Sequence, residues 1–150
     1  MASEFRIVRR VEFAETDAAG IMHFSNYFRF MEAAEHAFFR SLGLTIHPHA
    51  APGAVGWPRV QASCEYRRPL RFEDEVEIHL RVAERREKVL VYDFVFRRLS
   101  GGAEEVAQGR FTVACVRRDG AGNMKAVPIP AEIAVLIEPV RGGAAVDGPP

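Results

Sequence analysis

The chain has 150 residues, 48% of them hydrophobic and 27% charged, the size and make-up of one globular domain able to bury its own core. Its 20 basic and 20 acidic residues cancel, so no global field draws it to nucleic acid or to an anionic membrane, and any anion site must be local. Cys64 and Cys115 lie in apolar alternating runs without a CxxC spacing, which excludes a zinc pattern and predicts buried free thiols; with no run of 18 apolar residues and no apolar leader, the expectation is a cytoplasmic protein.

In chain order, Phe5 to Phe13 sets Phe5, Ile7, Val11 and Phe13 against Arg6, Arg10 and Glu12, with Arg9 breaking the apolar side, and predicts a first strand. A polar turn follows, Glu15-Thr16-Asp17-Ala18-Ala19-Gly20. From about Phe24, the residues Phe24, Tyr27, Phe28, Met31, Ala34, Phe38 and Leu42 recur at helical steps, and Phe30, Ala33, Ala37 and Phe39 widen the stripe into a mostly buried helix. Arg29, Glu32, His36 and Arg40 form a narrow polar strip, and Gly43 stops the helix. Residues 45–58 hold three prolines and two glycines and read as a loop that shapes a pocket entrance.

Arg59 to Tyr66 alternates weakly as a strand, and Pro69 breaks the chain between Arg67 and Phe72. Val76, Ile78, Leu80 and Val82 then alternate with Glu75, Glu77, His79 and Arg81, the clearest strand in the sequence. Lys88 to Arg98 is apolar on both faces, hence central or covered twice. A Ser100-Gly101-Gly102 hairpin leads to a partner strand over Glu105 to Arg117; a turn at 119–123, a short pairing over Lys125 to Ile129 and a helical turn over Ala131 to Ile137 close the fold. The sum is one α+β domain over residues 1–138, with a flexible Gly- and Pro-rich tail over 139–150. A helix this apolar requires a sheet curled around it or a second copy to cover it.

Thr16-Asp17-Ala18-Ala19-Gly20-Ile21-Met22 followed by Asn26-Tyr27, together with Gly56-Trp57-Pro58, the RRPLRFED break over 67–74 and Val127-Pro128-Ile129-Pro130, resembles the hotdog-fold acyl-CoA thioesterases. Over residues 5–137 the likeness points most to the 4-hydroxybenzoyl-CoA thioesterase family. It implies a hotdog fold, a five- or six-stranded antiparallel sheet wrapped around one long buried helix. It also implies an acyl-CoA substrate, no metal or organic cofactor, and a homodimer with two interfacial sites, often paired into a homotetramer. Asp17 becomes the catalytic carboxylate, either a general base towards water or a nucleophile through a mixed anhydride. Arg86, Lys88 and Lys125 fall where the family contacts the nucleotide end, and become candidates for the phosphates of coenzyme A.

Thioester hydrolysis needs an activated nucleophile and donors for the oxyanion. The second requirement falls to the helix start, whose backbone N–H groups near His23 and Phe24 carry about half a positive charge. Gly20 lets the backbone turn tightly beside the acyl group. Several residues keep two readings. Asp17 is equally suited by spacing alone to cap a turn. Asn26 and Tyr27 either orient the acyl group or pack, and His23 is a proton shuttle or a pocket wall. Glu32, Glu35 and His36 read as a polar helix face or an interface, although some hotdog thioesterases carry the working carboxylate on this helix, which makes Glu32 and Glu35 the fallback. His47-Pro48-His49 lacks a third ligand at usable spacing. Alternative readings on the same fold are an enoyl-CoA hydratase, an acyl carrier protein thioesterase and a non-catalytic acyl-CoA binding protein. Phe, Trp and Met near the turn and loop suit a small aromatic or short to medium acyl group.

Overall fold

Alternation in one strand organises the sheet. The computed structural model describes residues 1–47 and 53–141. Five strands, β1 (Glu4–Arg10), β2 (Arg59–Tyr66), β3 (Glu75–Arg85), β4 (Val89–Arg98) and β5 (Glu104–Ala114), form an antiparallel sheet in the order β1-β3-β4-β5-β2. In β3, Val76, Ile78, Leu80 and Val82 are all fully buried. Register places Ile78 opposite Phe96, Leu80 opposite Phe94 and Val82 opposite Tyr92, and β5 continues that face with Ala107, Phe111 and Val113. Because side chains alternate across a strand, one pairing gathers these apolar residues of the three central strands on one side.

That side wraps the helix α1 (Ser25–Ser41), which buries Tyr27, Phe30, Met31, Ala34, Phe38 and Phe39 against it. At Gly109 the helix packs closely on the sheet: an added Cβ would collide with the Met31 thioether, which would have to move aside. Arg9, which breaks the apolar side of β1, caps this layer with its guanidinium over the Phe30 ring at 4.9 Å. A two-stranded ribbon, β6 (Val116–Arg118) with β7 (Met124–Ala126), and a single helical turn, α2 (Ala131–Ala134), complete the order. The expected sheet around one helix is therefore present, with β4 at its centre. Both cysteines are free thiols, Cys64 half-buried and Cys115 buried. Among the described residues, no helix is long and apolar enough to cross a membrane.

Four sequence expectations need correction. The first strand ends at Arg10; Glu12 N–H bonds to Glu15 Oε1 at 2.8 Å and turns Phe13–Glu15 into a 3₁₀ turn that leaves Phe13 75% exposed, edge-on to Phe72. Phe24 lies just ahead of the first helical turn and is 62% exposed, outside the buried stripe. The partner strand does not run to Arg117: Cys115 N–H turns to Lys88 O and Val116 pairs with Gly56, which diverts the chain into β6. Glu35, expected on a polar face, is buried with its side chain 0% exposed because Arg59 meets it there. His49 and residues 142–150, most of the expected tail, lie outside the described residues, while Val140 N–H still bonds to Val82 O.

Candidate active site

The turn before α1 is closed by its own backbone. Asp17 N–H bonds to Ile21 O at 2.9 Å and Gly20 N–H to Asp17 O at 3.0 Å, with Gly20 in the left-handed region at φ 79°. Asp17 Oδ1 accepts from Ala19 N–H at 2.8 Å and, at 3.5 Å, from Ile21 N–H. Its other carboxylate oxygen has no hydrogen bond to a described protein group. The two readings of Asp17 thus coexist in one side chain: one oxygen holds the turn and the other is available.

Asp17 borders a cavity of about 450 Å³ lined also by Ile21, Met22, Phe24, Tyr27, Tyr66, Arg67, Arg68 and Pro69. This cavity abuts the N-terminus of α1, where the peptide dipoles sum to partial positive charge. The amides there are not equally free. Met22 N–H bonds to Leu70 O, His23 N–H to Glu15 O at 2.8 Å and Asn26 N–H to His23 O at 2.9 Å. Ser25 N–H turns to His23 Nδ1 at 3.3 Å. Phe24 N–H alone in this run has no protein partner among the described residues. Of the two amides expected there, that of His23 is spent holding the turn and that of Phe24 is left without a protein partner among the described residues.

His23 is a cap for α1: Nδ1 takes the Ser25 N–H and lies 2.7 Å from Ser25 Oγ, and the ring does not border the cavity. Asn26 is buried and gives its Nδ2–H to Glu15 O at 2.8 Å, so it ties helix to turn. Tyr27 is buried and still reaches the cavity; its ring meets Tyr66 at 4.8 Å and Phe96 at 5.3 Å, and burial pushes its phenol up to about 12. Nothing in the sequence marks Tyr66, which looks like an ordinary strand end. It donates from its hydroxyl to Phe24 O at 3.0 Å, across 42 residues of chain. The cations at the cavity mouth are both engaged, Arg67 with Glu65 and Glu105, and Arg68 with Glu104 at 2.7 Å.

Arg86, Lys88 and Lys125 are not part of this cavity. Tyr66 stands opposite Ala107, which stands opposite Phe96, whereas Lys88 precedes Val89, opposite Ala114, at the other end of the sheet. Arg86 is exposed and paired with Glu84, and Lys125 lies opposite Arg117 in the ribbon. A larger cavity of about 510 Å³ lies beside that ribbon, with Arg117 and Arg118 in its wall and no carboxylate. The smaller one is the candidate site because it joins an acid to a helix N-terminus. Among the described residues no His, Cys, Asp and Glu side chains gather as a metal site.

The two fallback carboxylates lie elsewhere on α1. Glu35 Oε2 accepts from Arg59 Nη1 at 3.0 Å, and Oε1 is 2.8 Å from Nη2 without hydrogen-bond alignment. Arg59 also pairs with Glu32 at 3.2 Å and lies 4.6 Å over the Phe111 ring. Burial pushes the Glu35 carboxyl up to about 7 against the pull of Arg59. Neither Glu32 nor Glu35 borders the Asp17 cavity.

Comparison with known proteins places this geometry. The family model described as the thioesterase-like superfamily matches residues 11–137. The 4-hydroxybenzoyl-CoA thioesterase of Pseudomonas sp. strain CBS-3 is 27% identical over 135 residues, 88% of this chain and 96% of that one. Its solved structure superposes with a TM-score of 0.80 at 25% identity, over 90% of this chain and 99% of that one. The crystal structure of a hypothetical protein from Aquifex aeolicus is 33% identical with a TM-score of 0.78, over 89% and 99% of the two chains. A gentisyl-coenzyme A thioesterase structure is 28% identical with a TM-score of 0.75, over 88% and 98%. The chain belongs to the thioesterase-like superfamily, with a hotdog fold and thioester hydrolysis as its chemistry.

Proposed function

We propose that this chain hydrolyses acyl-CoA thioesters to free acid and coenzyme A, with Asp17 acting on water or on the carbonyl carbon and Phe24 N–H receiving the oxyanion. One observation carries this: Asp17, whose carboxylate keeps an oxygen without a hydrogen bond, and Phe24, whose N–H has no protein partner among the described residues, line the same cavity at the N-terminus of α1. As the carbonyl carbon becomes tetrahedral, its oxygen gains charge, and a fixed N–H at a helix start stabilises that charge without reorganising. Asp17 either takes the proton of the attacking water or attacks itself; in both cases thiolate leaves and water supplies the acid's second oxygen. Neither route requires a metal or organic cofactor.

Ile21, Met22, Tyr27, Tyr66 and Pro69 give the cavity a mainly apolar wall that includes two aromatic rings, which suits a small aryl or short to medium acyl group. The names of the 4-hydroxybenzoyl and gentisyl relatives support the aryl arm. Arg86, Lys88 and Lys125 reach the phosphates of a substrate at Asp17 only if a second copy supplies them, in keeping with a homodimer whose sites lie between subunits and with its pairing into a homotetramer. His23 is engaged with Ser25 and lies off the cavity, which disfavours the acid and base pair of a hydratase.

The test is thiol release, followed with a chromogenic disulfide, across aryl, short and medium acyl-CoAs and acyl carrier protein thioesters. Asp17→Asn retains an Oδ1 for the Ala19 and Ile21 amides, so the turn survives while the base is lost. Its turnover is expected to fall by at least about two orders of magnitude, and retained activity would remove Asp17 from the role. Loss of enoyl-CoA absorbance without thiol release would identify a hydratase instead.

A further inference from the structure

We infer that Tyr66 is a positioning residue that, by holding the Phe24–Ser25 peptide at its carbonyl, fixes the Phe24 Cα and through it the adjoining Phe24 N–H towards the thioester oxygen; this rests on the hydrolase reading above. The Phe24 amide is the single unengaged donor in a run where Met22, His23, Ser25 and Asn26 are all committed. The residue that carries it is poorly held by packing, because its ring is more than half exposed and meets only the His23 ring among the described aromatics, tilted at 4.4 Å. Its tie to the sheet is the Tyr66 hydroxyl on its carbonyl at 3.0 Å. Tyr66 is itself anchored, since its backbone registers with Ala107 of β5 and its ring sits edge-on to the buried Tyr27 at 4.8 Å. Tyr66, Phe24 and Asp17 all border one cavity, so the bond spans the site from the edge strand to the helix start. Burial, helped by the neighbouring Cys64 thiol, pushes the Tyr66 phenol up to about 12, and the O–H remains a donor through the alkaline range.

Tyr66→Phe keeps the ring and its contact with Tyr27 and deletes one O–H. Misplacing a reacting group by about 1 Å costs up to about a hundredfold, and one neutral hydrogen bond corresponds to about fivefold, so kcat is expected to fall about 5- to 30-fold. KM should stay within about twofold of the parent, since the acyl wall is intact, and the melting temperature within about 3 °C. A merely structural tyrosine would not produce that split.

A double-mutant cycle makes the link to Phe24 explicit. Phe24→Pro removes the N–H at a residue whose φ of −55° proline already accepts. In that background Tyr66→Phe should cost kcat nothing further. The inference is overturned if Tyr66→Phe leaves kcat unchanged, if its effect falls wholly on KM, or if the two losses multiply. Should Phe24→Pro not fold, the split in the single Tyr66→Phe variant decides alone. An active parent with an unaffected Tyr66→Phe sinks this inference and leaves the hydrolase reading standing, whereas a parent that releases no thiol overturns both.

Discussion

Glu35→Gln should flatten the dependence of stability on pH. The Glu35 side chain is fully shielded from solvent, and burial raises its carboxyl from an ordinary 4.5 to about 7 despite Arg59. An acid with a raised folded pKa binds protons more readily when folded. Unfolding then releases protons, and stability falls as pH rises from 4.5 through about 7. The contribution is intact below the unfolded value and fully lost above the folded one. Between pH 5 and pH 8 the parent should lose on the order of 2–3 kcal/mol relative to Glu35→Gln, which has no charge to desolvate. Arg59 is not orphaned by the change, because Glu32 holds it at 3.2 Å and its head is partly solvated. The assay is urea unfolding of both proteins at four pH values across that range, where the midpoint difference should move by about 1 M. A difference constant with pH would refute the reasoning. A parent that gains on the variant as pH rises would show that the Arg59 ion pair outweighs the desolvation.

Phe24→Pro and Phe24→Ala separate the amide from the ring: relative to Phe24→Ala, the proline variant should lose about 100- to 1,000-fold in kcat, the scale for one oxyanion donor, in steady-state thiol release. Equal activities would assign the oxyanion to another group. Gly109→Ala should cost about 1–3 kcal/mol by overpacking against Met31, measured by urea unfolding, and no change in midpoint would mean that the Met31 thioether swings aside freely.

Much of the architecture follows from periodicity. The 2.0 repeat of β3 and the 3.6 repeat of α1 mark which faces are apolar, and Gly43, at φ 76°, ends the helix as its position suggests. Departures came where a single long-range partner outweighs local pattern. Glu35 lies one turn from Met31, Phe38 and Phe39, on the buried side of α1, and Arg59, 24 residues on, makes the burial of a carboxylate there tolerable. Phe13 and Phe24 carry the hydrophobicity of core residues but sit in the two short turns that deliver the chain to the helix, where no stripe is defined.

The site divides in the same way. Asp17, Gly20 and the start of α1 are neighbours in the chain, so a local motif suffices to bring an acid, a tight turn and a helix dipole together. Which amide is free depends on how the turn closes on itself, which spacing does not reveal: Glu15 O takes the His23 N–H and the Asn26 side chain, and the His23 ring takes the Ser25 N–H, until in this run Phe24 N–H is left without a protein partner among the described residues. Tyr66 joins the site only because β2 pairs with β5 and ends beside the helix start. The sequence by itself determined the fold class, the buried helix and the acid before it, because those rest on spacing within a few residues. The tertiary structure alone decided the cavity walls, the bond from Tyr66 to Phe24 and the pairing of buried Glu35 with Arg59, because each depends on a group distant in the chain.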